Sequence, residues 1–355
     1  MLSPKGVLVQ VAMAVCFSLA LSAQQFTDRA GFELDPKIDY RQCRLAIENG
    51  FVAIHAAGIV KNSETDQIEV FRWHGQKVVG LNLLKAVEGA HSMSVNDISI
   101  GPTGLVAIIA TLADSTLRLG EGLFIYDSSA KSLNVFWLPE GRRVARLRVD
   151  EDENIWALGE GAESIDPSTL PMITKYDKKG KIVNEFLSRS EFPVHASLIK
   201  EGPDFGGSIS FGLTDERIWF WLPEDQQLVT LRKDGSDVQK VKTGLPTWPG
   251  GGDKSEKILT VVNPHSTWLS SGRFLAMVGF STESRSEHAV SLFEWQSNTA
   301  TWRALPDNNL GGWFYGVDQN EMIFGVAYPQ ESVPFLEIGR ASLPDLAPKL
   351  GPVRK

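Results

Sequence analysis

The sequence predicts an all-β chain folded as a six-bladed β-propeller, with seven blades as the alternative count. Three observations predict it. Residues 147–158 (LRVDEDENIWAL) followed by 173–186 (ITKYDKKGKIVNEF) repeat the plan of residues 209–219 (ISFGLTDERIW) followed by 228–241 (LVTLRKDGSDVQKV). Each reads as a strand, a polar turn, a strand carrying a Trp, a loop, and a hairpin turned at Lys179-Gly180 or Asp234-Gly235, which is the pattern of one blade. Weaker copies recur in step along the chain with a period of about 50 residues. No helical periodicity of useful length follows the first residues.

The elements are justified in chain order. Residues 1–23 form a signal peptide: Lys5 gives the positive start, 7–21 the apolar run, and Ala20, Ser22 and Ala23 the small residues that cleavage requires. That run is shorter than the roughly 20 residues needed to span a bilayer, which favours cleavage over the alternative of an uncleaved anchor, and no membrane span is expected after cleavage. The expectation is an exported chain, periplasmic or extracellular, with residues 24–355 as one propeller domain. Cys16 leaves with the signal, so of the 2 cysteines only Cys43 remains and no intramolecular disulfide can form. Stability then rests on packing, and Cys43 reads as a small buried apolar residue.

Residues 32–34 have no partner among their neighbours and are expected to close the ring as the outer strand of the last blade. The first unit has strands at 44–47, 51–55, 68–73 and 77–83, turned at Asn49-Gly50 and His74-Gly75. The second has strands at 98–100, 105–111, 123–126 and 133–138. The two clear repeats supply the third and fourth. The fifth runs through 267–269, 273–280, 289–295 and 300–305, and the sixth through 313–317, 322–328 and 334–338.

With 355 residues, 43% hydrophobic and 22% charged, the composition is that of a globular protein with a large core, which excludes a disordered chain. The formal net charge of -8 and the lack of a clustered Lys/Arg stripe exclude a nucleic-acid partner. Connections of the first-to-second and third-to-fourth strands are tight. Those of the opposite face are long: 58–67, 112–122, 159–171 and 281–288 within blades, and 84–96, 188–207 and 246–265 between them. Long ordered connections on a rigid scaffold carry recognition or chemistry, so the working face is expected there.

Connections between blades feed the innermost strands. Residues near their ends are therefore expected to ring the channel mouth: His91, Asn96, Asp97, Arg142, Arg143, His195, His265 and Trp313. Three histidines from different blades can converge on a metal or supply a general acid or base; otherwise they are separate polar loop residues. Trp248 and Trp313 are the candidates for stacking on a ligand, whereas Trp156, Trp219 and Trp295 read as wedges between blades. Acidic residues such as Glu64, Asp66, Asp114 and Glu121 recur in the loops, as a cation-attracting face or as a solvated rim.

The run VDEDENIWALG at 149–159 with KYDKKGK at 175–181 resembles the repeat of NHL-type and gluconolactonase-like propellers. DERIWFW at 215–221 with LRKDGS at 231–236 is similar to the streptogramin lyase-like branch. The first resemblance implies a divalent cation held by Glu, Asn and Asp side chains at the channel mouth, where it polarises a lactone carbonyl and activates water. Asn96 and Asp97 are the residues available for it, while Gly159 replaces the trailing acid of the family run. The second implies a histidine base beside a metal, with His195 or His265 as candidates. No metal ligand set is assigned on these grounds.

The reading is an exported propeller that acts as a binding, sensing or protein-interaction module through its long-loop face, on an unidentified protein or small-molecule ligand. The alternative is a metal-assisted lactonase or lyase at the channel mouth, and a purely structural role is the third.

Overall fold

In the computed structural model the described residues are 28–33, 43–56, 59–61, 64–116, 120–127, 129, 131–139, 142–161, 170–193, 209–246, 258–262, 266–269, 273–282, 288–297, 299–305, 313–318, 321–328 and 335–342. They form six antiparallel sheets, each a blade. β1 (Asp28–Glu33) precedes blade 1, which comprises β2 (Cys43–Glu48), β3 (Phe51–Ala56), β4 (Ile68–Arg72) and β5 (Lys77–Leu81). Blade 2 comprises β6 (Ser92–Ile100), β7 (Val106–Ala113), β8 (Glu121–Tyr126) and β9 (Ser132–Trp137). Blade 3 comprises β10 (Arg142–Val149), β11 (Ile155–Gly161), β12 (Pro171–Tyr176) and β13 (Ile182–Ser188). Blade 4 comprises β14 (Ser210–Leu213), β15 (Arg217–Leu222), β16 (Gln227–Arg232) and β17 (Gln239–Lys242).

In blade 5, β18 (Ile258–Val262) and β19 (Thr267–Trp268) share the inner position, followed by β20 (Phe274–Thr282), β21 (His288–Gln296) and β22 (Thr301–Ala304). Blade 6 comprises β23 (Trp313–Asp318), β24 (Glu321–Tyr328) and β25 (Phe335–Ser342), and its outer strand is β1, paired antiparallel to β25 from Asp28↔Arg340 to Glu33↔Phe335. The expected N-terminal closure is therefore present. Among the described residues helix is almost absent, limited to α1 (Leu83–Ala86) and a 3-10 turn at Arg189–Glu191.

The core is divided rather than continuous. Six apolar clusters sit one in each gap between consecutive blades, including the gap between blades 6 and 1, where Phe32, Ile338 and Leu336 meet Val52, Ile54 and Phe71. Blades are covered on both faces, so a middle strand such as β7 (VAIIATLA) is a nearly continuous apolar run instead of an alternating one. Trp156 and Trp221 are fully buried and Trp219 and Trp295 nearly so, as wedges between blades require.

The turn residues explain why the sequence doubles back where it does. Asn49 (φ 56°) and Gly50 (φ 76°) form a two-residue turn with both φ positive, which matches the twist of β2 and β3. In blades 2, 3 and 4 the outer hairpin is turned by an aspartate whose Oδ1 accepts a backbone N–H two residues on: Asp127 from Ser129, Asp177 from Lys179, and Asp234 from Ser236. In blades 3 and 4 the glycine of this turn presses on the outer strand of the preceding blade. A Cβ at Gly180 would lie 3.1 Å from Phe136 Cβ, and one at Gly235 would lie 2.4 Å from Phe186 Cδ1. Gly235→Ala combines that clash with a φ of +89°. It is expected to cost about 2 kcal/mol, read as a lowered urea midpoint. A midpoint equal to that of the parent chain would show that the turn does not pack on blade 3.

Two expectations need correction. The connection read as 246–265 contains β18, which pairs with β20 from Ile258↔Thr282 to Val262↔Val278. Its ILTVV run is β-branched, as a strand demands, although it follows a glycine-rich stretch. The inner strands β6 and β10 also begin earlier than expected, at Ser92 and Arg142. A register shift falls between Val95 and Asp97 in β6 and between Val144 and Arg146 in β10. Each shift interrupts the period-2 alternation that marks a strand in sequence.

Candidate functional site

Tight turns gather at one end of the blades and long connections at the other, as the loop lengths indicated. The inner strands approach one another around the ring, β23 to β2, β2 to β6, β6 to β10, β10 to β14 and β14 to β19. Among the described residues no backbone ladder joins these inner strands, and side chains make crossings between them. Asp318 accepts from the Asn49 N–H at 2.9 Å and the Gly50 N–H at 3.2 Å. Glu48 Oε2 accepts from Ser99 Oγ at 2.6 Å and the Ile100 N–H at 2.9 Å. Ser99 Oγ accepts from the Val149 N–H at 2.9 Å, Asp97 Oδ2 from the Leu147 N–H at 2.7 Å, and Arg146 Nε donates to the Ile209 carbonyl at 3.0 Å. These bonds carry the connection from blade 6 through blades 1, 2 and 3 to blade 4.

Burial pushes the Glu48 carboxyl above its ordinary range; the Arg148 guanidinium, at 3.2 Å, and the bonds from Ser99 and Ile100 pull against that shift. A raised folded-state value means that the protonated carboxyl favours the fold. Its contribution is fully present below the usual value of 4.5 and is lost as pH rises through the folded value. The unfolding free energy of the parent chain, measured relative to Glu48→Gln, is therefore expected to fall as pH rises from about 4 to about 7. Urea titrations across that range check it, and a difference flat with pH would refute the shift.

Of the residues expected at the channel mouth, Asn96 and Asp97 lie inside β6, Asn96 at the register shift, and Asp97 is engaged with Leu147 and 3.6 Å from Arg148 Nη1. His91 is exposed just before β6, and its N–H donates to the Ala113 carbonyl at 2.8 Å. The backbone of Trp313 opens β23; its side chain lies outside the described residues, as do His195, Trp248, His265 and the segment 1–23. Among the described residues no group of three or more His, Cys, Asp or Glu side chains gathers where it could hold a metal. None of their helices is long and apolar enough to cross a membrane.

Arg142 and Arg143, in contrast, do open onto a recess. On the long-connection face, a cleft between blades 2 and 3 is lined by Arg142, Arg143, Gly159, Thr174, Tyr176 and Arg189, with Leu138 from blade 2 at its edge. Arg142 Nη1 donates to Glu185 Oε1 at 2.5 Å. Glu121, at the start of β8, accepts from the Val144 N–H at 2.8 Å and ties the two blades at this rim. Tyr176 is buried, and burial pushes its hydroxyl up to about 12, so it stays a neutral donor. Arg189 is 2% exposed. It is held by the 3-10 turn, where Ser188 accepts from the Ser190 N–H and Glu191 accepts from the Ser188 N–H, a capping box. A Cβ on Gly159 would meet Arg189 Nη2 and the Pro171 carbonyl, both at 3.1 Å.

Arg189 and Tyr176 were not among the residues singled out from the sequence. The spacing Ser188-x-x-Glu191 is the signal that marks an ordered turn within the connection after β13. Gly159 was visible only as a departure from the gluconolactonase-like run.

No family model matches the chain, and no curated protein matches it by sequence. By structure the chain is similar to a protein of unknown function from Bacteroides caccae, at 12% identity and a TM-score of 0.40, covering 77% of this chain and 84% of that one. It is also similar to hydrazine synthase of Kuenenia stuttgartiensis, at 8% identity and a TM-score of 0.41, over 79% of this chain and 72% of that one. A third likeness is to the β-propeller domain of the trilobed protease from Pyrococcus furiosus, at 11% identity and a TM-score of 0.37, over 80% and 89%.

Proposed function

We propose that the chain is an exported propeller working as a binding or sensing module through its long-connection face. The observation that carries this reading is the cleft between blades 2 and 3, which opens on that face and is built from a rigid inter-blade seam. The signal-like composition of residues 1–23 supports export, with residues 24–355 as the exported domain.

The test is a thermal-shift panel of neutral, cationic and anionic small molecules together with divalent ions, since a ligand of the native state raises apparent stability by mass action. At least one compound is expected to stabilise the parent chain, with the shift lost on changes to the long-connection face and kept in Arg217→Gln, on the tight-turn face. Stabilisation by divalent ions alone would favour the lactonase or lyase reading instead. A panel without any stabiliser would sink the binding reading. For export, residues 1–23 fused to a phosphatase that is active only outside the cytoplasm should give activity, and an inactive fusion would overturn it.

A further inference from the structure

We propose that β9 (Ser132–Trp137) pairs antiparallel with β9 of a second copy of this chain, joining two propellers edge to edge through blade 2. β9 ends the sheet order β6-β7-β8-β9, so among the described residues its outer backbone edge is unpaired. Such an edge is a template for another strand, and proteins block it with charge, above all with lysine. The outer strands of the other blades carry that block: Arg29 in β1, Lys77 in β5, Glu185 in β13, Lys240 in β17 and Arg303 in β22. β9, with the sequence SLNVFW, has no charged residue. This inference goes beyond the binding reading and does not depend on it.

The edge is shaped to meet its own copy. A register shift between Ile125 and Tyr126 sets Leu133 apart and leaves Asn134 to Trp137 as the regular part of the strand. The Leu138 N–H donates to the Glu121 carbonyl at 2.9 Å. By alternation the backbone groups of Phe136 and Asn134 also face β8, and those of Val135 and Trp137 face outward. A two-fold axis at Phe136 sets Val135 of each copy opposite Trp137 of the other. Those pairs are the ones that exchange both backbone bonds, and an aromatic residue opposite a β-branched one is a favourable cross-strand pair. Trp137 is already positioned for it: the side chain is 40% exposed and its ring packs edge-on to Phe124 at 6.2 Å. It lies over Gly122, where a Cβ would stand 3.4 Å from Trp137 Cε3.

A two-fold contact closes on itself, which gives a dimer rather than a fibre. It turns the long-connection faces of the two copies in opposite directions, so both stay open. The dimer is weak, because β9 offers 6 residues a side against roughly 20–30 in a standard interface. Each copy has a formal net charge of -8, so added salt should tighten the association.

Sedimentation velocity of the parent chain over a concentration series, with amide exchange measured at low and high concentration, tests the proposal. A monomer–dimer equilibrium is expected, and exchange across residues 132–137 should slow as the dimer forms. Val135→Pro removes an outward N–H and leaves the ladder to β8 intact, so it should raise the dissociation constant about tenfold or more with the fold intact by circular dichroism. Trp137→Gln should weaken the dimer in the same direction, and it decides if the proline variant does not fold. Val183→Lys, at a 56% exposed position on the outer strand of blade 3, should stay within about twofold. A parent chain still monomeric at about 1 mM would overturn the proposal. So would a dimer that leaves exchange across 132–137 unchanged, one that tolerates both β9 variants or is weakened equally by Val183→Lys, or assemblies that grow past two copies.

Discussion

A chain lacking Asp28–Glu33 is expected to lose its single cooperative unfolding transition and to associate in solution. β1 is the outer strand of blade 6 and pairs with β25 over its whole length, so its removal exposes the β25 backbone as a free edge, a template for pairing with another chain. It also strips the cluster between blades 6 and 1 of Ala30 and Phe32. Phe32 is 1% exposed and packs edge-on to Phe71 at a centroid distance of 5.2 Å. Two further contacts tie the same strand to blade 1: Trp73 Nε1 donates to Asp28 Oδ2 at 2.6 Å, and the turn at Gly75 sits against the Gly31 carbonyl. The point variant Phe32→Ala should cost about 3–5 kcal/mol while keeping the ring closed, read as a lower urea midpoint at unchanged slope. Size-exclusion chromatography of the truncated chain tests the edge. A monomer with the parent midpoint would show that closure contributes nothing.

Asp318→Ala is expected to destabilise the chain by about 3–5 kcal/mol, the typical cost of removing one partner from a buried ion pair. The Asp318 and Arg340 side chains are 7% and 10% exposed, and Arg340 Nη2 lies 2.9 Å from Asp318 Oδ2. The same carboxylate receives the Asn49 and Gly50 N–H groups, so it joins the end of blade 6 to the first turn of blade 1. Arg340 in turn lies over the Trp73 ring at 4.1 Å from its centroid and 3.7 Å from Glu321. Loss of the carboxylate leaves that guanidinium with a weaker charge partner and the Asn49 turn without its acceptor. The double variant Asp318→Ala, Arg340→Met removes the buried charge as well and should recover part of the loss. Chemical denaturation of both variants checks this, and a double variant no more stable than Asp318→Ala would refute the account.

Much of the blade plan was legible because it is written in local chemistry. Asn49-Gly50, Asp177 with Gly180, and Asp234 with Gly235 dictate turns by their own conformational preferences, and the aromatic or β-branched runs between them dictate strands. The starts of two inner strands were missed for one physical reason. Inner strands carry an extra residue, Asn96 in β6 and Ala145 in β10, that moves the alternation to the other face, so Asn96-Asp97 read as loop and Arg142-Arg143 as a loop end. The candidate site was legible in part. Arg142 and Arg143 could be placed near an opening by counting connections, but no spacing joins them to Tyr176 or Arg189.

By itself the sequence determined the class of fold, the tight turns and the closure by an early strand, and it favoured six blades over seven. Each of these is set by neighbours along the chain or by a repeat that can be compared with itself. Only the tertiary structure decided which side chains meet: Glu48 with Ser99 and Arg148, Asp318 with Arg340 and the Asn49 turn, and Arg142 with Tyr176 and Arg189 about Gly159. Those meetings depend on the angle at which one twisted blade packs on the next. That angle is fixed by the summed packing of six apolar seams, a property of the closed ring that no single segment encodes.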